Sequence, residues 1–309
     1  MRVARVPLSA LASTSRSRFD RRRADVPLAL RAGAQSDAST SDDARAWERF
    51  YLAHSRGGSK ADVSFFKDRH YLRRAFSELA DADARQHPEA FRAALTPSTL
   101  GAIDEEKRLE VLELGCGVGN SVYPLLRANL NMRVTAVDCS PTAIATLEKS
   151  PEYDPRRLRT HVVDASQAGS MVGRVDDASI DAVTAVFFFS ALTTSGLRNA
   201  AEEVRRILRP NGILLLRDYA RGDVKNSDET SRFVPGERID GVESSSEQMY
   251  RRGDGTLAVF FDPEELNEAF TSVGLIGECE IVTHTVTNRK LGVVLERKFV
   301  QGRFVKPTA

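Results

Sequence analysis

At 309 residues, 41% hydrophobic and 28% charged, the chain has room for one large α/β domain with an appendage but not for two full domains. Its longest mostly apolar run, Ala182 to Leu192, is broken by Thr184 and Ser190 and falls far short of the roughly 20 residues a membrane-spanning helix needs, so neither a membrane protein nor a membrane partner is expected. The net charge of +1 conceals eight arginines against Asp20 and Asp25 in residues 1–35, which leaves −5 elsewhere; whole-chain charge therefore gives no argument for a DNA or RNA partner, and any such surface must be local.

Residues 1–41 are rich in Arg, Ser and Ala, poor in acids and without sustained apolar periodicity. A disordered leader and a mitochondrial or plastid transit peptide share that composition. Cys116, Cys139 and Cys279 neither pair off nor show metal-ligand spacing, so no metal is expected and a reducing intracellular compartment, first of all the cytoplasm, is the expected setting. From 42 to 101 the pattern turns helical: Trp47, Phe50 and Tyr51 share one face, and Tyr71, Leu72, Ala75, Phe76 and Leu79 repeat the spacing. Pro88, Pro97 and Gly101 punctuate the end of this helical extension, ahead of a sheet domain at 102–309. Two stretches are locally basic, Trp47 to Arg74 with seven basic against three acidic residues and Arg289 to Lys306 with six against one. Charge alone does not separate solvated faces from nucleic-acid surfaces there.

Beyond Ile103, strand-like and helix-like stretches alternate, which predicts a mostly parallel sheet covered on both faces. Strands are expected at Glu110 to Leu114, Arg133 to Val137, Arg159 to Val163, Ile180 to Phe188 and Ile213 to Arg217, with helices between them. The clearest helix is Leu197 to Leu208, striped by Leu197, Ala201, Val204 and Leu208 and closed by Pro210 and Gly212. A long polar stretch, Gly222 to Gln248, leads to a short paired segment around Arg252 to Phe261 that turns at Gly253-Asp254-Gly255. A helix from Pro263 to Val273 and strands at Glu278 to Val286 and Val293 to Val300 complete seven principal strands. The connection from Thr287 to Gly292 is too short for a crossover helix, so the last pair must be antiparallel.

The chemistry concentrates where the first strand turns into a helix, at Glu113-Leu114-Gly115-Cys116-Gly117-Val118-Gly119-Asn120. Glycine there permits a tight turn and close backbone approach to a ligand at the carboxyl edge of the sheet. A dinucleotide fingerprint would put glycine three places after its second, where this chain has Asn120, and Glu113 would repel a pyrophosphate. S-adenosylmethionine, with its sulfonium and ammonium groups, suits that carboxylate better, which disfavours a nicotinamide enzyme. Asp138 closes the second strand, placed to accept from both ribose hydroxyls, and Asp164 closes the third, placed to accept from the adenine amino group. The expected fold is thus α/β, a Rossmann-like class I methyltransferase fold with a seven-stranded mostly parallel sheet, an antiparallel last strand and an N-terminal helical extension. The run Phe187-Phe188-Phe189 reads first as sheet core and second as a base-stacking platform.

Several stretches from Trp47 onward resemble the tRNA 3-methylcytidine methyltransferase family. Trp47-Glu48-Arg49-Phe50-Tyr51 with Phe65-Phe66-Lys67-Asp68-Arg69-His70 is similar to its N-terminal motif, and Gly115 to Asn120 to its cofactor loop. Ser140-Pro141-Thr142-Ala143-Ile144 with Tyr153-Asp154, Leu216-Arg217-Asp218-Tyr219, and Tyr250 to Thr256 with Phe260-Phe261 resemble three further family segments. The resemblance implies methyl transfer to N3 of a cytidine in the tRNA anticodon loop, position 32, with tRNA-Ser or tRNA-Thr as substrate and a seryl-tRNA synthetase as partner in some relatives. It also implies that Trp47, Tyr51 and His70 fold over the cofactor while Gly115, Gly117, Asp138, Asp164, Ala165 and Val186 line its pocket beside Glu113. Asp218, at the exit of the fifth strand, is the candidate catalytic carboxylate for the cationic product base, and Lys67, Arg69, Arg217 and Arg251 are the candidate phosphate holders. Ala165 replaces the leucine usual in the family, Phe187 to Phe189 is more aromatic than the usual strand, and Gly222 to Gln248 is longer. A small-molecule or protein methyltransferase, and a silent cofactor-binding adaptor, are the alternatives.

Overall fold

A computed structural model of the chain describes residues 41–54, 66–87, 105–223, 249–288 and 293–308. The expected leader up to residue 40, Phe65, Pro88, Pro97, Gly101 and nearly all of the long polar stretch lie outside these residues. Seven strands form one sheet: β1 (Leu109–Leu114), β2 (Met132–Asp138), β3 (Leu158–Val162), β4 (Ile180–Val186), β5 (Leu208–Tyr219), β8 (Ile276–Asn288) and β9 (Val293–Val305), in the order β3-β2-β1-β4-β5-β9-β8. Strands β1 to β5 are parallel, and β9 runs antiparallel to both β5 and β8. A separate two-stranded hairpin, β6 (Met249–Arg251) and β7 (Leu257–Val259), turns over Gly253 to Gly255. The order reverses between β1 and β4, and such a reversal opens a crevice at the carboxyl ends of the strands.

Alternation along the strands divides the core between the two faces. Leu112, Leu114, Val183, Leu214 and Leu216 pack beneath α6 (Thr194–Ile207) and α7 (Pro263–Ser272), whereas Val111, Val134, Ala182 and Leu215 meet α4 (Val122–Ala128) and α5 (Pro141–Glu148). Local sequence sets the helix starts. Ser140 accepts from the Ala143 N–H with Pro141 following it, Thr193 accepts from the Gly196 N–H, and Asp262 with Glu265 forms a capping box.

Three expected boundaries move for identifiable reasons. The strand expected to reach Phe188 stops at Val186, because Phe187 adopts a left-handed φ of +57° and swings the chain into a 3-10 turn at Phe189–Ala191. The helix before Pro210 ends at Ile207, and Leu208 to Gly212, instead of forming a loop, begin β5 as a bulge with Asn211 at φ +63°. The helix read over Tyr71 to Leu79 shrinks to α2 (Leu72–Ala75) and a 3-10 turn at Ser77–Leu79. Its apolar residues Leu72, Phe76 and Leu79 are nonetheless fully buried against the sheet. Burial of a side chain the size of Phe76 contributes about 1.5–3 kcal/mol, which anchors the extension without a long helix. Among the described residues the extension also holds the helices α1 (Asp42–His54) and α3 (Ala82–Gln86).

Candidate cofactor and acceptor site

A cavity of about 900 Å³ opens at the carboxyl ends of the strands, between the glycine loop, α1 and the β6–β7 hairpin. Gly115, Gly117 and Gly119 all have positive φ (+63°, +53° and +89°), which L-residues with side chains adopt at a cost. Each also sits under a side chain: a β-carbon would come within 2.7 Å of the Phe188 ring at Gly115, 2.6 Å of the Tyr51 hydroxyl at Gly117, and 2.7 Å of the Tyr123 ring at Gly119.

Asp138 ends β2 with its carboxylate on the cavity wall, where Oδ2 accepts from the Gly117 N–H (2.8 Å) and Oδ1 from the Ser140 N–H (3.0 Å). A carboxylate has about four acceptor positions, so these two backbone bonds do not use up its capacity to accept from a ligand's hydroxyls. Burial raises its pKa to about 6, against the two backbone bonds that favour the charge. Asp164, beyond β3, also lines the cavity; it accepts from the Ser166 N–H and hydroxyl, and its Oδ2 takes the Ser41 N–H (3.2 Å). Helix α1 spans these strand ends, with Phe50 and Tyr51 packed against Val118 and Ala143 and flanked by Trp47 and Phe66. Trp47, Tyr51, Gly115, Gly117, Ala165 and Val186 line the cavity with the two aspartates.

Other expected site residues stand behind the lining. Glu113 is buried on the Val111 face of β1, accepts a hydrogen bond from the Thr184 hydroxyl, and is pushed by burial to a pKa of about 7. Asp218 is fully buried; Oδ2 accepts from the Ser190 N–H (2.9 Å) and Oδ1 from the Tyr219 N–H (2.9 Å), and burial raises its pKa to about 6. Its neighbour Tyr219 lines the cavity, whereas Asp218 is not among the lining residues. Arg217 is buried with its guanidinium between the rings of Tyr71 (4.8 Å) and Phe299 (4.4 Å). His70 is outside the lining, and Arg251 lies on the outer rim, 3.6 Å from Asp43 and bonded to the Gly255 carbonyl. Lys67 and Arg69 do reach the cavity. Arg69 donates to the Val186 carbonyl (2.7 Å) and lies 5.0 Å over the Phe187 ring.

The same cavity has an aromatic side that sequence reasoning did not assemble. Phe187 stacks at 4.8 Å on Tyr219 and meets Phe299 at 5.7 Å, and Arg252 and Arg297 stand beside them on the lining. Arg297 Nε donates to both oxygens of the buried Asp223 carboxylate, at 2.9 Å each. Tyr219 and Arg252 fall inside motifs that were noticed, and Arg297 and Phe299 inside a basic stretch, but only the β5–β9 register, which sets Tyr219 opposite Phe299, unites them. Phe188 covers Gly115 and Phe189 enters the core, so three consecutive phenylalanines serve three surroundings.

The strand order, the glycine loop and the carboxylates beyond β2 and β3 define a class I S-adenosylmethionine-dependent methyltransferase. A methyltransferase-domain family model matches residues 111–212. In fold, the chain is similar to an S-adenosylmethionine-dependent methyltransferase from Anabaena variabilis, with a TM-score of 0.55 at 14% identity over 86% of this chain and 96% of that one. The tRNA N(3)-cytidine methyltransferase METTL2 of Danio rerio is 33% identical over 85% of this chain and 73% of its own length. For METTL6 of Mus musculus the identity is 32%, covering 84% and 80%. The chain belongs to the tRNA N(3)-cytidine methyltransferase family.

Proposed function

We propose that this protein methylates N3 of a cytidine in the anticodon loop, position 32, of a tRNA-Ser or tRNA-Thr. The observation that carries the reading is the pairing of two chambers in one cavity: the glycine loop with Asp138 and Asp164 on one side, and the Phe187, Tyr219 and Phe299 rings with Arg69, Arg252 and Arg297 on the other. Glu113, Gly115, Gly117, Asp138, Asp164, Ala165 and Val186 build the cofactor side, with Trp47 and Tyr51 above them and His70 nearby. When bound, S-adenosylmethionine supplies an electrophilic methyl group. Cytosine N3 has a free lone pair at neutral pH, so the chain need not provide a general base; its task is placement. Alignment of nucleophile and methyl at about 3–3.5 Å can supply roughly 7–11 kcal/mol of the barrier. The aromatic chamber suits a base swung out of a loop, which costs less than extraction from a duplex. Asp218 acts through Tyr219 and the Ser190 backbone. Lys67, Arg69 and Arg252 face phosphates, with Arg217 and Arg251 supporting the chamber and its rim.

In the same reading, residues 1–41 form a leader, 42–101 a cap that contacts tRNA, and 102–309 the catalytic domain. Among the described residues no helix is long and apolar enough to cross a membrane. The three free cysteines support a reducing, cytoplasmic setting. The test is incubation with labelled S-adenosylmethionine and total tRNA, with and without seryl-tRNA synthetase, followed by nucleoside analysis and mapping of the modified position. Formation of 3-methylcytidine at position 32 supports the proposal; label confined to protein, to small molecules or to another nucleoside overturns it.

A further inference from the structure

We propose that Glu48 is a positioning residue for cofactor binding, fastening α1 to the N-terminus of α5 and thereby fixing both the roof over the cofactor cavity and the backbone that orients Asp138. Glu48 is off the cavity lining and half-buried. Its Oε2 accepts from the Ser140 hydroxyl and from the Thr142 N–H (3.2 Å), and its Oε1 accepts from the Thr142 hydroxyl. A carboxylate at this end of α5 also faces the positive end of the helix dipole. Ser140 is fully buried and linked in two further directions: its hydroxyl accepts from the Ala143 N–H (3.0 Å), and its own N–H donates to Asp138 Oδ1 (3.0 Å).

From Asp138 the chain of contacts returns to α1. Asp138 Oδ2 holds the Gly117 N–H, and the Tyr51 hydroxyl lies directly over Gly117. Tyr51 is three residues beyond Glu48, so both project from one side of the helix. The circuit Glu48, Ser140, Asp138, Gly117, Tyr51 thus closes through α1 around one edge of the cofactor site. A 13-residue helix is marginal on its own and keeps its place by docking. Glu48 supplies three polar contacts to that docking; loss of them frees the roof and loosens Asp138 without altering the acceptor chamber.

This inference rests on the cofactor site proposed above. The experiment measures S-adenosylhomocysteine affinity by calorimetric titration, the cofactor KM and kcat on tRNA, and hydrogen exchange in α1, for Glu48→Ala, Glu48→Gln, Thr142→Val and Asp138→Ala. Glu48→Ala is expected to raise Kd and cofactor KM about tenfold, or about 1.4 kcal/mol, with kcat at saturating cofactor within about twofold of wild type and faster exchange in α1. Glu48→Gln, which keeps an acceptor for the Thr142 N–H, is expected to recover part of the affinity. Thr142→Val removes a partner without removing volume and is expected to weaken binding less than Glu48→Ala, adding little in the double variant. A Kd within twofold of wild type in Glu48→Ala, or a loss of kcat at unchanged Kd, overturns the role of Glu48. If Asp138→Ala also leaves Kd unchanged, the cofactor-site reading falls with it; if only Asp138→Ala abolishes binding, the inference about Glu48 falls alone.

Discussion

The Tyr51 hydroxyl stands 2.6 Å from the position a β-carbon on Gly117 would occupy, and Gly117 already has a φ of +53°. Helix α1 and the glycine loop are therefore fitted to each other at a single backbone atom.

Gly117→Ala should incur the left-handed penalty of about 1–2 kcal/mol and also push Tyr51 away from the loop. At least about a tenfold loss of S-adenosylhomocysteine affinity is expected by calorimetry. Adding Tyr51→Phe should return part of it, and an unimproved double variant would show that contact with Tyr51 is not what matters.

Cofactor affinity should depend on pH through Asp138. Its buried carboxyl titrates near 6, and only the ionised form offers both oxygens to ribose hydroxyls. Below pH 6 the Kd should rise toward about tenfold per pH unit, as expected for one linked proton. Asp138→Asn should bind weakly with a flatter profile between pH 5 and 7.5.

Stability should fall as the solution becomes less acidic through the Glu113 range. Its pKa in the folded chain is raised by burial from 4.5 to about 7, so the folded state holds the proton more tightly than the unfolded state. The associated stability is complete below about pH 4.5 and lost as pH rises through 7, on the order of 3 kcal/mol in all. Denaturant unfolding at pH 5 and pH 8 should show a smaller difference for Glu113→Gln than for the wild type; an equal difference counts against the assignment.

The aromatic chamber predicts a separation of substrate from cofactor effects. Stacking on an aromatic side chain is worth about 1–3 kcal/mol per base, so Phe187→Ala should weaken tRNA turnover by roughly 10- to 100-fold while S-adenosylhomocysteine binding stays near wild type. Lys67→Ala and Arg252→Ala should each make the dependence of tRNA affinity on salt shallower by about 0.7 in logarithmic slope if each removes one phosphate contact. Unchanged slopes would remove both from the interface.

Asp218→Asn replaces one of two acceptors with a donor facing a backbone N–H. Stability should drop by about 1–3 kcal/mol and turnover should slow with cofactor affinity nearly intact. Equal loss of affinity and turnover would mean that Asp218 supports the whole cavity, and not Tyr219 in particular.

Most of the sheet was legible because buried parallel strands announce themselves as short apolar runs ending in a distinctive residue. Asp138 and Asp164 are marked in this way by the sequence alone. Turning points were less legible: nothing in a run of three phenylalanines says that the first will take a left-handed φ, and Pro210-Asn211-Gly212 reads as a helix stop whether it leads to a loop or to a bulge. The aromatic side of the cavity was least legible because Phe299 reaches Tyr219 by strand pairing across 80 positions. Nor does sequence spacing say that Asp218 is fully buried while its neighbour Tyr219 lines the cavity.

Helix α1 adds no strand to the sheet, yet its anchors at Ser140, Thr142 and Asp164 lie 92 to 123 residues further along the chain. Contacts that close such long loops carry a high entropic cost and tend to form late. Helix α1, synthesised ahead of the sheet, must therefore wait for β2 and β3 before these anchors can form, so this edge of the cavity closes only after its floor exists.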